Sequence, residues 1–132
     1  MTSEKSPEIK LVEEFFQLIS SDQFDAAVDL LAEDVFYHNI PLPEMQGREN
    51  VRDFHKNFGV DSSIKVDWKI EFIAQDGNTV LTERMDIFVH QNGSKIVLPT
   101  MGSMVVEHGM ITQWRDYFDL KSFETQAAAF FA

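Results

Sequence analysis

The sequence predicts an α+β fold, in which helices near the N-terminus pack over the concave face of a curved, mixed or antiparallel sheet. Apolar residues recur at helical spacing early in the chain, and from Ile64 onward they alternate with polar residues over long segments. Helices followed by hairpin-connected strands are typical of α+β domains. At 132 residues the chain is long enough for one core, so we expect a single domain over residues 1–132.

Three helices are predicted in the first half of the chain and a fourth at its end. Ser6 can cap the first helix, with Pro7 in its first turn, where the missing N–H is not needed. The second helix begins near Asp22, the third covers about residues 49–57, and a short fourth helix covers residues 122–132. The first helix has one apolar stripe, formed by Leu11, Val12, Phe15, Phe16 and Ile19.

One short strand and four long strands are predicted. The short strand covers residues 35–38 and ends before Pro41 and Pro43, which neither a helix nor an interior strand accommodates. Glycine-containing turns join the long strands into an antiparallel meander. The long strands cover residues 64–72, 79–90, 95–106 and 110–118.

The composition excludes several classes of partner and chemistry. The net charge is −11, from 22 acidic and 11 basic residues, and such a field repels phosphate backbones and anionic lipid surfaces. We therefore expect no nucleic-acid partner and no membrane partner. The chain has no cysteine, which excludes disulfides, thiol catalysis and cysteine metal sites. No apolar run reaches the length of a spanning helix, and the first residues lack a signal-peptide apolar region, so a cytoplasmic location is predicted.

The four histidines show no metal-binding spacing. We predict that they are surface residues or internally hydrogen-bonded ones. The chain also has no phosphate-binding glycine loop, nucleophile elbow or His-Glu-x-x-His element, so metal hydrolysis and covalent catalysis have no support. The histidines are His38, His55, His90 and His108.

Three charged residues stand among apolar neighbours in the predicted sheet. Residues two apart in a strand share a face, so Arg84 and Asp86 point the same way, and Asp116 lies between Trp114 and Phe118. A charge in aromatic surroundings must be paired, neutral or hydrated. Two carboxylates with an arginine between them can protonate one atom and deprotonate a water, which is general acid and base chemistry. The alternative is that Arg84 and Asp86 form an ordinary solvated pair.

A second polar cluster precedes the prolines. Tyr37 and Asn39 share a face if the short strand continues through them, and their hydroxyl and amide groups could together hold one water. The alternative is that Asn39 only starts the turn into the prolines.

Four motifs resemble the limonene-1,2-epoxide hydrolase family and follow its order. They are Tyr37-x-Asn39-x-Pro41-Leu42-Pro43, Gly47-Arg48, Thr82-Glu83-Arg84-x-Asp86 and Trp114-Arg115-Asp116-Tyr117-Phe118-Asp119-Leu120. The resemblance implies the cone-shaped fold of nuclear transport factor 2 and ketosteroid isomerase (the SnoaL-like fold), which encloses an apolar pocket. It also implies a homodimer and a cofactor-independent epoxide hydrolase that forms a vicinal diol in one step, without a metal.

The resemblance assigns a role to each polar residue. Asp116 would be the general base that deprotonates a water, and Tyr37 and Asn39 would help to hold that water. Asp86 would be the general acid that protonates the epoxide oxygen, and Arg84 would orient both carboxylates. Two acids in one apolar pocket do not both ionise readily, so one keeps its proton.

The substrate is expected to be a small apolar epoxide, cyclic or terpene-like, because aromatic residues share the face of the acids. Strand phase and the proline motif suggest the lining of its pocket. The expected pocket residues are Leu42, Phe88, Leu98, Thr100, Trp114 and Phe118.

Two other functions of the same fold stay open. One is a non-catalytic protein that binds a small apolar ligand, although a pure binder has little reason to hold a charged triad. The other is an enzyme like ketosteroid isomerase or a polyketide cyclase. That chemistry needs one base and one oxyanion donor, so an arginine between two acids would have no role in it. The opposite face of the strand, with Met85, Ile87 and Val89, is a candidate dimer interface.

Overall fold

A computed structural model describes residues 5–131, which form a mixed α+β fold with four helices and a curved, unclosed sheet of six strands. The predicted fold class is confirmed. Residues 1–4, where no signal-peptide region was expected, and Ala132, at the predicted end of the last helix, lie outside the described residues. The helices are α1 (Pro7–Ile19), α2 (Phe24–Val28), α3 (Arg48–Phe58) and α4 (Leu120–Phe130), and the strands are β1 (Leu31–Ile40), β2 (Met45–Gln46), β3 (Ile64–Asp76), β4 (Thr79–His90), β5 (Lys95–Glu107) and β6 (Met110–Tyr117).

Side-chain caps set the start of the first and last helices. Ser6 caps α1 as predicted, since its Oγ accepts the backbone N–H three residues later at 3.1 Å. The last helix, α4, begins two residues before the predicted start at Ser122. The reason is that Asp119 caps it: the Asp119 Oδ1 accepts the N–H groups of Lys121 at 3.0 Å and of Ser122 at 3.3 Å.

The strand order in the sheet is β2-β1-β6-β5-β4-β3. Neighbouring strands are antiparallel, except that β1 runs parallel to β6. This pairing corrects two expectations. The short strand predicted at residues 35–38 extends over Leu31–Ile40, and the two-residue strand β2 beside it was not predicted. The length of β1 depends on pairing with β6, more than 70 residues away in the chain, which local sequence patterns do not report. The strand β2 has only two residues and pairs with the nearby β1, so it is too short to give an alternating pattern.

The sheet bends around the helices, and its concave face forms the core. Register shifts, which bend a sheet locally, occur between Ile70 and Phe72 of β3 and between Val105 and Val106 of β5. The first helix packs against β3 and β4, the third against β1, and the fourth against β5. The convex face instead exposes large apolar side chains, namely Phe72, Leu81, Val97, Met101 and Tyr117.

None of the helices within residues 5–131 has the length and apolar character that crossing a bilayer requires.

Candidate active site

A glycine in the middle strand lets residues of two non-adjacent strands meet. In the sheet, β5 lies between β4 and β6, and the register places Gly102 of β5 opposite both Thr82 of β4 and Asp116 of β6. A Cβ built on Gly102 would overlap the Asp116 Oδ1 atom and would lie 2.9 Å from Nη1 of Arg84. The missing side chain therefore opens the space in which the guanidinium group and the carboxylate come together.

Arg84 joins the two carboxylates and uses all five of its N–H groups. Its Nε and Nη2 atoms donate to Asp86 at 3.1 and 2.9 Å. Its Nη1 and Nη2 atoms donate to Asp116 at 3.0 and 2.8 Å, and Nη1 also donates to the Thr82 hydroxyl at 2.9 Å. Each carboxylate thus has a bidentate contact with one planar cation, which fixes the relative orientation of the two acids.

All three charged groups are buried. Arg84 is 1% exposed, Asp86 is 5% exposed and Asp116 is 4% exposed. The Phe16 ring covers the guanidinium group, with its centroid 4.4 Å from Cζ, so α1 seals one side of the group by a cation–π contact. This burial excludes the alternative in which Arg84 and Asp86 form a solvated surface pair.

Burial and the central cation set the protonation of the site. Burial raises the pKa of the Asp86 carboxyl above its ordinary value of 3.8, and the charge of Arg84 opposes this rise. Burial alone would lower the pKa of Arg84, but the two carboxylates more than offset it and raise that pKa, so the guanidinium stays charged. Burial, followed by the negative charge of Asp116, raises the pKa of the Tyr37 hydroxyl, which therefore keeps its proton.

Parallel pairing of β1 with β6 brings the second polar cluster to the triad. Tyr37 lies beside Trp114, and Asn39 lies beside Asp116. Among residues 5–131, neither the Tyr37 hydroxyl nor the Asn39 side-chain amide makes a hydrogen bond, and both residues line the cavity next to the acids. These two polar groups are therefore positioned to bind a water or a ligand beside Asp116.

The acids face a cavity of about 280 Å³, which is at the small end for small-molecule sites. Its walls are mostly apolar and aromatic. Five of the six residues expected from the sequence as pocket lining are in these walls. The cavity is lined by Tyr37, Asn39, Leu42, Phe54, His55, Phe58, Trp68, Asp86, Phe88, Leu98, Thr100, Asp116, Phe118 and Phe123.

Trp114, the sixth expected pocket residue, does not line the cavity. Its ring lies one layer behind, with centroids 5.1 Å from Phe15, 4.6 Å from Tyr37 and 5.7 Å from His55. Strand phase correctly places Trp114 on the face of Asp116, but other aromatic rings cover it. Its role in this structure is to support the side chains that do reach the cavity.

Among the cavity residues not expected from the sequence, His55 is the one with an ionisable group. It is 5% exposed and lies on α3, with its Nδ1 atom 2.9 Å from the Val51 carbonyl oxygen. Helical spacing in the sequence could have predicted that His55 faces the interior. It follows Val51 by four residues and precedes Phe58 by three, so the three residues share one face of the helix. No three His, Cys, Asp or Glu side chains in the described part of the chain are grouped as metal ligands.

The chain matches one protein-family model over most of its length. The model is that of the limonene-1,2-epoxide hydrolase catalytic domain, and it matches residues 6–128. This range contains every residue of the triad and of the cavity wall.

The chain is also similar to individual epoxide hydrolases in sequence and in structure. The chain is 30% identical over 109 residues to the epoxide hydrolase EphG of Mycobacterium tuberculosis strain H37Rv, covering 83% of this chain and 71% of that protein. An LEH-like epoxide hydrolase from M. tuberculosis has a similar solved structure, with a TM-score of 0.81 and 26% identity, covering 95% of this chain and 92% of that one. A Shewanella putrefaciens protein described as a SnoaL-like polyketide cyclase has a TM-score of 0.80 at 15% identity, covering 96% and 99% of the two chains; this likeness shows the shared fold alone.

Proposed function

The chain belongs to the limonene-1,2-epoxide hydrolase family, and on this premise we propose that it adds water to a small apolar epoxide, cyclic or terpene-like, to give a vicinal diol. The observation that carries the proposal is the pair of buried carboxylates joined by Arg84 at the wall of an apolar cavity. Epoxide opening by water needs a proton donor at the oxygen and a base at the water, and two acids sharing one cation supply both.

In this proposal Asp116 is the general base. A water held by the Tyr37 hydroxyl and the Asn39 amide loses a proton to Asp116, and its oxygen forms a bond to one epoxide carbon. The cavity position of these groups and the absence of other hydrogen bonds to the Tyr37 and Asn39 side chains within residues 5–131 support the assignment. Since the Tyr37 hydroxyl keeps its proton, it can donate to the water while Asp116 accepts from it.

Asp86 is the proposed general acid. The raised pKa of its buried carboxyl favours the protonated form that this role requires. As the carbon–oxygen bond breaks, Asp86 gives its proton to the epoxide oxygen. The reaction consumes one water, leaves no covalent intermediate, and ends with the proton on Asp116 instead of Asp86. Exchange of protons between the acids and solvent restores the starting state.

Arg84 is the proposed positioning residue for both acids. Its charge stays constant through the cycle, and one of the two carboxylates is negative before and after the proton transfers, so the net charge of the triad does not change. A buried site in which total charge is conserved avoids the large desolvation cost of creating a new isolated charge.

The test is diol formation from a panel of cyclic and terpene epoxides, with a chelator present. We expect wild-type protein to form diols and the variants Asp116→Asn and Asp86→Asn to lose at least about a hundredfold in rate, because each removes one proton transfer. Circular dichroism should show both variants folded. Near-wild-type rates in either variant would contradict the assigned roles.

The same assay separates the proposal from the other functions of this fold. A non-catalytic ligand-binding protein would bind apolar epoxides without forming any diol. An isomerase or cyclase would leave the panel unchanged and would act on a carbonyl compound instead. A chelator-sensitive rate would contradict the proposed independence of metal ions.

We also propose a homodimer and a cytoplasmic location. The row of exposed apolar side chains on the convex face, including Leu81, Met101 and Tyr117, supports the homodimer, because such a patch commonly marks an interface. The cytoplasmic location rests on the sequence alone and stays a prediction. Light scattering tests the first proposal and cell fractionation tests the second.

A further inference from the structure

His55 is held rigidly in the wall of the cavity. Its ring is parallel to that of Trp114, with an interplanar angle of 3° and centroids 5.7 Å apart. Phe54 meets the same ring edge-on at 5.1 Å, and the Tyr37 and Trp68 rings lie at 5.6 and 6.0 Å. Rings on several sides leave the imidazole little freedom to turn, so the direction of its two nitrogens is set by the fold.

The hydrogen bond to α3 determines the tautomer of His55. Its Nδ1 atom lies 2.9 Å from the Val51 carbonyl oxygen, and a carbonyl oxygen can only accept. The hydrogen must therefore be on Nδ1. Burial lowers the pKa of the imidazole below its ordinary value of 6.5, so the ring is neutral at pH 7. In this tautomer Nε2 carries a lone pair and can only accept a hydrogen bond.

The accepting nitrogen of His55 has no donor in the described part of the protein. No hydrogen bond to Nε2 is present among residues 5–131, although the residue lines the cavity. The neighbouring indoles of Trp68 and Trp114 do not satisfy it, because the Nε1 atoms of both are buried without any hydrogen-bond partner. Since His55 lines the cavity and Nε2 is not one of the fully buried unpaired atoms, this nitrogen is available to accept a hydrogen bond from a water or a ligand.

His55 lies beside the proposed water site but is not bonded to either acid within residues 5–131. Its ring stacks on Trp114, which precedes Asp116 by two residues on the same face of β6. Two residues along a strand span about 7 Å. Neither Asp116 nor Asp86 forms a hydrogen bond with His55 within residues 5–131, so a group that binds His55 is distinct from the epoxide that the acids reach, although the His55 and Tyr37 ring centroids are 5.6 Å apart.

We propose that His55 Nε2 is a substrate-binding acceptor and that the substrate of this protein carries a hydroxyl group, or an equivalent hydrogen-bond donor, in addition to its epoxide. This inference rests on the proposed function and narrows its substrate class from a purely apolar epoxide to a hydroxylated one. The hydroxyl donates to Nε2, while the carbon skeleton fills the apolar walls formed by residues such as Phe58 and Phe88.

The experiment uses two probes that differ in one group. They are 4-(hydroxymethyl)-1,2-epoxycyclohexane and 4-ethyl-1,2-epoxycyclohexane, which have nearly the same shape but only one of which has a donor. We expect wild-type protein to prefer the hydroxymethyl probe by about tenfold in kcat/KM, the magnitude of one hydrogen bond. The variant His55→Leu should reduce this ratio to about one. His55→Gln, which keeps an accepting oxygen, should restore part of the preference.

Two controls make the readout specific. Phe123→Leu changes the cavity wall on α4, where the ring contacts Phe58 and Phe118 and not His55, so it should keep the wild-type ratio of the two probes. Because only the ratio is used, a general loss of activity from a poorly packed variant does not imitate the expected result. A ratio near one in wild-type protein, or the wild-type ratio in His55→Leu, would overturn the inference.

Failure of the proposed function would give a different result. If wild-type protein forms no diol from either probe, the hydrolase proposal fails, and calorimetry with the unreactive pair cyclohexylmethanol and (fluoromethyl)cyclohexane then tests His55 by itself. Tighter binding of the alcohol that disappears in His55→Leu would support the acceptor. Equal binding of both compounds would show that Nε2 is satisfied by a fixed water and would overturn the acceptor role.

Discussion

The two faces of β4 distribute polar and apolar residues in the reverse of the usual pattern. On its concave face Arg84 and Asp86 are 1% and 5% exposed, whereas on its convex face Leu81 is 44% exposed and Met85 is half-buried. The difference arises because partners for the charges come from other strands: β6 supplies Asp116, and β5 supplies a glycine that leaves room for the contact. A charged residue is buried where the tertiary structure provides its partners.

Stability alone does not account for the concave face. Replacing a buried ion pair by well-packed apolar residues is often neutral or stabilising, so a protein that needed only a core would have no reason to hold this triad. Retaining three buried charges next to a cavity instead supports a chemical role. The convex face, by contrast, exposes large apolar side chains, which in a protein surface are either scattered singly or covered by a partner.

The largest expected effect comes from removing the shared cation. Arg84→Met leaves two buried carboxylates facing each other, so we expect a loss of about 3–5 kcal/mol in the free energy of unfolding at pH 7 and no measurable diol formation. Urea denaturation measures the change in the free energy of unfolding, and the epoxide assay measures diol formation. The loss should shrink as the pH is lowered, because burial raises the pKa of the Asp86 carboxyl and favours its neutral form.

The matched control for Arg84 is an arginine of β6 on the convex face of the sheet, opposite to the face that carries Asp116. Arg115 is half-buried, with its Cζ 4.9 Å from the Phe36 ring, and it bonds to Gln113. Arg115→Met should change the free energy of unfolding by no more than about 1 kcal/mol. Equal losses in the two variants would show that burial of the charge is not what distinguishes the faces.

A smaller effect is expected from filling the space beside Gly102 of β5, in which Asp116 and Arg84 meet. In Gly102→Ala the new Cβ overlaps the Asp116 Oδ1 atom, so the carboxylate must move. We expect a loss of about 1–3 kcal/mol in stability from overpacking and about a hundredfold in kcat from misplacement of the base. Ser103→Ala, on the other face of the same strand, is the control and should keep the wild-type kcat. Unchanged turnover in Gly102→Ala would contradict the proposed positions of the acids.

The pH dependence of stability should distinguish His55 from an apolar residue. The pKa of His55 is lowered from 6.5 in the folded protein, so the unfolded chain binds a proton first as the pH falls. The stabilising contribution of the neutral ring is therefore complete above pH 6.5 and is lost as the pH falls towards the lowered pKa, at up to about 1.4 kcal/mol per pH unit.

The measurement is the difference in free energy of unfolding between wild-type protein and His55→Leu at several pH values between 7.5 and 5. Taking the difference removes the contribution of Asp86, whose raised pKa acts in the opposite direction. A difference that does not vary with pH would show that His55 titrates equally in both states.

The smallest effect on folding is expected on the convex face. Met101 is 51% exposed, so Met101→Lys should change the stability of the subunit by less than about 0.5 kcal/mol. If the convex face is the proposed dimer interface, light scattering should instead show a shift towards monomer. A loss of several kcal/mol in a variant that remains monomeric would mean that this face belongs to the core.

Much of the architecture was accessible from local patterns. Alternation predicted β4 with both of its ends correct, because each step of a strand reverses the side-chain direction and the turns at either end carry glycine or asparagine. The cap at Ser6 was equally local. Local patterns failed for most of β1, whose partner β6 is distant in the chain, and for β2, which has only two residues. They also placed the start of the last helix at Ser122, two residues after the start that the Asp119 cap sets.

Local patterns likewise predicted some features of the candidate site and not others. The sequence by itself determined which residues share a face, so it grouped Arg84 with Asp86 and named Asp116, Tyr37 and Asn39 as candidates. Alternation does not say which face is inside, and it does not say which strands are neighbours. Only the tertiary structure decided that these residues meet in one buried site, that Trp114 lies behind the cavity wall, and that His55 is part of it. The physical reason is that each of these facts depends on the packing of elements far apart in the chain, whereas alternation and helical spacing report only the orientation of a residue relative to its own helix or strand.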